Sequence, residues 1–423
     1  MRVLIAAIAC QPKGGSEGYV GWSCVNAISM DHEVHVITSG MSQKEIEAEL
    51  VTHPRRSKMS FSFVGEPVRW HENRLIARAQ SWMQYARWVR EASGTARKLC
   101  EERHFDILHH ITYATWRMGT PLSGLGTPLI FGPVGGGEKF PLSFLQMLSP
   151  LSVFFELLRS ASGWLATKNR RVTGSISTAS LLLANNRETE ELFQSLGVLT
   201  AKTKIMSQSF LSDERMEQMR CAEKKSDPKE KLIIFAGGNL EGRKGVAIVL
   251  RALSILSHWE VPYDFTYGGK GPELSHLTRL ARKLSLTDEN VNLGQVFTQE
   301  NYFRELKRAH IYLLPSLREG APVTMMEAMA ASCVPVVGKC GGAAMLVNGD
   351  CGRLIPITSP SEMAEEIADK LRFLWKNPGV LKKMGDSARL RVNEKCSEEF
   401  YRKQINRYYQ NVAAKESVEM QEK

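Results

Sequence analysis

A chain of 423 residues is long for one hydrophobic core and comfortable for two domains. Its 43% hydrophobic and 24% charged residues are ordinary for a globular protein, and no run nears the roughly 18–20 apolar residues that span a bilayer. The net charge of +10 suits polyphosphorylated small molecules or an anionic membrane surface; nucleic acid is not expected, since there is no zinc-finger or RNA-binding signature and no concentrated basic helix.

The opening "MRVLIAAIAC" has two readings. It is a short secretion signal ending at a lipid-accepting Cys10, or the first buried strand of an α/β domain. A single Arg and an apolar core of about eight residues sit at the short limit for a signal, and a glycine loop and helix follow at once, which favours the strand. The eight cysteines include no CxxC pair, so reduced thiols are expected rather than a disulfide framework or zinc site. Next come "EVHVIT", "FSFVG", a long amphipathic segment from about Asn73 to Glu102, "FDILHH" and "TPLIFGP". Continuous apolar strands alternating with helices predict a parallel sheet covered on both faces.

The alternation is interrupted from Leu142 to about Arg171. Leu148, Leu151, Val153, Phe154, Phe155, Leu157 and Leu158 form an apolar cluster, followed by Trp164, Leu165, Lys168, Arg170 and Arg171. Such a segment docks on an anionic leaflet or packs as a helix on the core. "SLLLANN" and "KIMSQS" resume the strands, and the polar stretch from Asp213 to Lys231 reads as a linker. A second α/β series follows: "LIIFAGG", "YDFTYGG", "VNLG", "IYLLPS" and "VPVVG". Two doubly wound domains predict a cleft between them, with ligands outside the carboxyl ends of the strands.

"PSLREGAPVTMMEAMAAS" is the most informative stretch. A strand ends near Leu314, and Pro322 suits the first turn of a helix whose amino-terminal amides form an anion site. Glu319 stands at the loop tip and Glu327 eight residues on, inside that helix. Two such carboxylates taken alone are common and read as a solvated helix face.

The stretch resembles the E-x7-E element of retaining GT-B-fold glycosyltransferases, family 4. "GGNLEGRKGV" resembles that family's phosphate-binding segment and "GGKGPELSHL" its glycine-rich turn. "VNLGQV" and "CGGAAMLVNGDCGRLIP" follow in the family's order, and "QPKGGSEGYVGW" resembles its first glycine loop. The resemblance covers nearly the whole chain. It implies an α/β fold of two Rossmann-like doubly wound parallel-sheet domains (GT-B) facing a central cleft. The acceptor-side domain is expected over 1–208, joined by a returning helix at about 400–423. A linker over 209–230 and a donor-binding domain over 231–399 complete the expectation.

The resemblance also implies roles. Arg243 and Lys244 neutralise the leaving diphosphate, beside Gly238 and Asn239 of the same loop. Glu319 aligns the donor sugar, Glu327 holds the ribose, and Gly320 offers its amide. Gly271 turns tightly near the nucleotide, and the segment around Val296 meets the base. Gly14 and Gly15 approach the phosphates, with Glu17 nearby. The chain departs from the family where Asn239 replaces a common Arg. It departs again where "GPVGGGEKFP" replaces a loop that often carries a histidine, leaving Glu138, His109 and His110 as candidates for active-site chemistry. The three glycines Gly135–Gly137 suggest close backbone approach to a ligand.

The expected activity is a retaining, metal-independent hexosyl transfer from a UDP- or GDP-linked sugar to a carbohydrate or lipid-linked acceptor, in exopolysaccharide or cell-envelope assembly. No separate cofactor and no metal are expected. The expected location is cytoplasmic, with peripheral membrane contact. The alternatives are a nucleotide-sugar epimerase on the same scaffold and a non-catalytic nucleotide-sugar-binding subunit.

Overall fold

Parallel strands buried on both faces organise the chain, as the apolar runs predict. The structure is a computed structural model describing residues 1–12, 16–65, 74–220, 225–320 and 322–421. The first sheet has β1 (Arg2–Ala7), β2 (Glu33–Ser39), β3 (Met59–Val64), β4 (Ile107–Thr112), β5 (Leu129–Val134), β6 (Leu181–Ala184) and β7 (Thr203–Ile205). Its order is β3-β2-β1-β4-β5-β6-β7. The opening segment is its third strand, paired on both sides. Val3 to Ala7 are wholly buried, with Val3 in register with Val34 of β2 and Ile107 of β4.

The second sheet has β8 (Leu232–Gly237), β9 (Tyr263–Gly268), β10 (Val291–Gln295), β11 (Ile311–Leu314), β12 (Val334–Gly338) and β13 (Arg353–Ile355). Its order is β10-β9-β8-β11-β12-β13. β13 went unpredicted: it is three residues long and pairs only with β12, so it shows no apolar run. Each sheet reverses its winding once, between β1 and β4 and between β8 and β11. At such a switch the loops leaving two neighbouring strands diverge and open a crevice.

The chain divides into two compact units. The first holds Met1–Gly137, Ser162–Gln208 and the chain from Glu398 onward; the second holds Glu138–Ala161 and Ser209–Ser397. The helix Glu398–Gln421 buries Tyr401, Ile405, Tyr409 and Val412, a helical stripe, within the first unit. Its Arg402 forks onto the Asp31 carboxylate at 2.9 and 3.1 Å.

Two predicted boundaries are corrected. Residues 138–161 leave the first domain because Phe144 and Met147 fill the core of the second, beside Leu232, Leu240 and Val246. The 209–230 linker contains a helix, Asp213–Met219, capped by Ser212 Oγ, which accepts the Arg215 amide at 3.2 Å. Met219 is fully buried in the same core. Among the described residues, no helix is long and apolar enough to cross a membrane.

Candidate active site

The switch point of the second sheet gathers charge. The loop leaving β8 carries Asn239, Glu241, Arg243 and Lys244, and the loop leaving β11 carries Ser316, Arg318 and Glu319. Gly245 ends the first loop at φ +70°, and a Cβ there would lie 2.2 Å from the Pro315 carbonyl oxygen. Only glycine lets the two loops meet so closely. Gly271 plays the same part beneath them: a Cβ would lie 2.1 Å from the Leu240 carbonyl oxygen.

Glu319 is the hub. The Lys244 ammonium donates to its Oε2, Arg243 Nη1 donates to its Oε1 at 3.3 Å, and Ser316 Oγ donates to Oε2 at 3.2 Å. Arg243 Nε also binds Glu241 Oε2 at 2.6 Å, and Asn239 Nδ2 donates to Glu241 Oε1 at 2.8 Å. Burial alone would raise the Glu319 carboxyl, but the charges of Lys244 and Arg243 together outweigh it and hold it down at about 2. Glu319 is therefore a carboxylate, and the cluster sets two cations against two anions. An anion entering here would compete with Glu319 and Glu241 for cations that are already oriented.

Glu327 lies in the helix Val323–Ala330, nearly buried, and binds Arg215 Nη1 through Oε1 at 2.8 Å. Burial pushes its carboxyl up to about 7, against the pull of Arg215. Arg215 also sits over the Phe303 ring, 4.7 Å from its centroid. Sequence reasoning missed Arg215 by reading its segment as linker. The signal was there: Ser212 followed by Asp213 and Glu214 is a helix start with an acidic first turn. Gly238 turns at φ +125°, the Gly320 carbonyl accepts the Gly342 amide at 2.8 Å, and Val296 is 71% exposed after β10.

Residues 138–161 run against this cluster as a strap. Glu273 is buried and accepts the Ser149 amide at 3.3 Å and the hydroxyls of Ser149 and Ser152, capping the helix Pro150–Ala166. Leu148 packs on Gly242, where a Cβ would come within 2.5 Å of it. Glu156 Oε1 accepts from Arg318 Nη2 at 2.7 Å, with both side chains mostly buried. The strap thus holds the residue next to Glu319.

The catalytic candidates outside the cluster fare differently. Glu138 is buried within the strap and paired with Arg159 at 3.3 Å. His109 and His110 are fully buried in the first unit. His109 donates from Nε2 to the Gly132 carbonyl and accepts the Tyr409 hydroxyl at Nδ1, each at 2.7 Å. His110 donates from Nε2 to the Tyr113 carbonyl at 3.1 Å and packs edge-on to Phe131. Burial drops both to about 4, so both are neutral. Two strand-end histidines expected to face a cleft are interior, because β4 is covered on both faces. Gly137 is required by protein rather than ligand: a Cβ would lie 2.5 Å from the Glu188 oxygen and the Thr189 Cα. Gly14 and Gly15 lie outside the described residues. Glu17, in the first unit, lines a cavity at the β1/β4 switch and accepts the Ala114 amide at 2.8 Å.

Residues 219–391 match the family described as glycosyl transferases group 1. A stretch of 170 residues is 29% identical to an uncharacterized glycosyltransferase of Haemophilus influenzae, covering 38% of this chain and 46% of that relative, less than half its length. The fold is similar to sucrose-phosphate synthase of Thermosynechococcus elongatus, with a TM-score of 0.66 at 14% identity over 98% of this chain and 99% of the other. It is also similar to Anabaena HepE in complex with UDP-glucose, with a TM-score of 0.62 at 16% identity over 97% and 100%. At such identities the likeness shows the fold, the GT-B arrangement of two Rossmann-like domains.

Proposed function

We propose, from the match of residues 219–391 to the glycosyl transferases group 1, that this protein moves a sugar from a nucleotide-sugar donor to a carbohydrate or lipid-linked acceptor, with retention and without a metal. The observation that carries the reading is the cluster of Arg243, Lys244 and Glu319 at the switch point of the second sheet. A departing diphosphate gains charge on its terminal oxygen, and two fixed cations stabilise that charge as it forms. Glu319, a carboxylate held by the same cations, orients the sugar. Glu327 accepts the ribose hydroxyls. HepE, a fold relative, is solved with UDP-glucose, which supports a UDP-linked donor, with GDP the alternative.

The acceptor is an envelope or exopolysaccharide saccharide presented at an anionic membrane. Along the helix Pro150–Ala166, Leu151, Phe154, Leu157, Leu158, Trp164 and Leu165 are exposed at helical spacing. Lys168, Arg170 and Arg171 follow, also exposed. An apolar stripe ending in cations fits the boundary between headgroups and acyl chains.

The test is nucleoside diphosphate release from a panel of UDP- and GDP-sugars, with and without saccharide acceptors and with a chelator. Acceptor-stimulated release that survives chelation supports the reading. Isomerised free sugar without acceptor would make the protein an epimerase, and binding without release a non-catalytic subunit. Activity that requires a divalent ion would refute the metal-free step.

A further inference from the structure

A cavity of about 620 Å³ lies in the first unit, within the roughly 300–1,000 Å³ typical of ligand sites, and it holds none of the candidate catalytic or donor-binding residues. It runs between the helix Arg170–Thr178 and the turn Leu196–Lys202 that feeds β7. That turn enters the amino end of a parallel strand, whereas the loops of the β1/β4 switch point leave from carboxyl ends, so the two places are distinct. We propose that this cavity seats the phosphate headgroup of one anionic phospholipid, held by Arg170 and Lys202 over Gly174.

Arg170, Thr173, Gly174 and Ser177 recur at helical spacing, so one face of the helix lines the cavity. Gly174 is the informative residue on that face. Glycine weakens a helix interior relative to alanine, and its use is to let a backbone approach something closely. The protein supplies no such neighbour: a Cβ at Gly174 would meet no described atom within 4 Å. The space over it belongs to the cavity. A headgroup resting against the helix backbone gives the missing side chain its reason.

Charge and polarity decide the ligand class. Arg170 lines the cavity from the helix and Lys202 from the turn, and no carboxylate lines it among the described residues. Neither cation has an ion-pair partner among the described residues, whereas Arg187 nearby in the chain is paired with Glu191 at 3.3 Å. The hydroxyls of Thr167, Thr173 and Ser177 donate to the carbonyls of Trp164, Asn169 and Gly174, so the free side-chain donors of the lining are the two cations. The remaining lining is apolar: Ile176, Leu196 and Val198, with Leu199 68% exposed. Trp164 and Leu165 are exposed too, and the Thr167 hydroxyl and Lys168 amide bind their carbonyls at 2.7 and 3.0 Å, which ties them to the cavity's edge. An inorganic anion would use the cations and leave these apolar side chains wet. A phospholipid uses both, its phosphate in the cavity and Leu199, Trp164 and Leu165 at the acyl boundary. No aromatic ring lines the cavity to stack on a nucleobase. The binding itself is independent of glycosyl transfer; its use as a membrane contact rests on the proposed function.

The experiment uses the full chain. Dihexanoyl phosphatidylglycerol, kept monomeric, is titrated by calorimetry beside dihexanoyl phosphatidylcholine and sodium phosphate. The phosphatidylglycerol is expected to bind at about 1 mM or tighter, and the other two about tenfold more weakly or not at all. Arg170→Gln with Lys202→Gln, both exposed, is expected to weaken it about tenfold or more. Gly174→Leu is expected to do the same while melting no lower than wild type, since leucine favours a helix over glycine. Lys382→Gln with Lys383→Gln, an equal loss of exposed charge in the second unit, is expected to leave binding unchanged. Failure of phosphatidylglycerol to bind overturns the proposal, as does binding that survives the Arg170 and Lys202 changes or Gly174→Leu. Phosphate that binds as tightly as the lipid overturns it in favour of a small-anion site. Sedimentation with phosphatidylglycerol vesicles tests the membrane reading apart. Monomer binding without sedimentation sinks the membrane contact and keeps the seat; sedimentation without monomer binding does the reverse.

Discussion

Replacing Lys244 by alanine removes the nearly buried ammonium that contacts Glu319 and leaves Arg243 and Ser316 in place. A unit charge about 4 Å from an ammonium in a partly screened site is worth about 4 kcal/mol. When about half a charge develops on the departing diphosphate, the loss is about 2 kcal/mol, or roughly thirtyfold in rate. Exclusion of water and a donor fixed in advance carry this toward about 3 kcal/mol, a hundredfold. Donor affinity falls less, because the donor in its ground state carries less charge on that oxygen. The assay is single-turnover diphosphate release beside calorimetric donor binding, with thermal melting to confirm the fold. The variant is expected to fold, since Glu319 keeps two partners. A Lys244→Ala protein that turns over within about threefold of wild type would refute the leaving-group argument, as would one whose whole loss lies in donor affinity.

Other expectations follow from particular contacts. Glu327 sits at about 7 against an ordinary 4.5, so the folded state keeps a proton that the unfolded chain gives up in between. Stability at this group therefore falls as pH rises through that window, and urea denaturation of wild type and Glu327→Gln at about pH 5 and about pH 8 should show the wild type alone losing ground through this carboxyl. Nucleotide affinity should rise through the same window, as the ionised carboxylate accepts ribose hydroxyls, and calorimetry on Glu327→Gln should show a flat profile. Glu156→Gln breaks the strap's hold on Arg318 and is expected to lower turnover about fivefold to tenfold with donor affinity little changed, read by steady-state kinetics. Phe154→Ser with Leu158→Ser should reduce sedimentation with anionic liposomes and spare diphosphate release to a soluble acceptor.

Strand content was legible because Val3–Ala7 of β1, Leu232–Ala236 of β8 and Val334–Val337 of β12 are apolar without a break, a pattern that a doubly covered sheet requires. The cluster of Arg243, Lys244 and Glu319 was legible only through the resemblance of its loops to a known family, since the spacing alone fits a solvated helix face; the close contacts at Gly245 and Gly271 that bring the loops together appear only in the structure. The strap was not. Phe144 and Met147 read as apolar in any setting, and nothing local says which of two cores they enter. Glu273 was seen as part of a glycine turn, while its partners, Ser149 and Ser152, stand more than 100 residues away. The histidines misled for a related reason: position at a strand end suggests a cleft, but His109 is sealed by Tyr409, which no local pattern near it discloses. Arg215 was hidden by composition, because a short charged helix and a charged linker look alike.

The bond between His109 and Tyr409 joins residues 300 positions apart. As the chain leaves the ribosome, β1 to β7 emerge early, yet the wall that closes over them at Tyr401, Ile405 and Tyr409 comes after every strand of both sheets. The second unit has all of its parts once Ser397 has emerged, whereas the first still lacks its final helix. Synthesis order and completion order are therefore reversed. Through the time needed to make nearly two hundred residues beyond β7, at about 5–20 residues per second, the nascent sheet carries an open apolar flank and a histidine without its hydroxyl partner. That interval is when chaperones have something to hold.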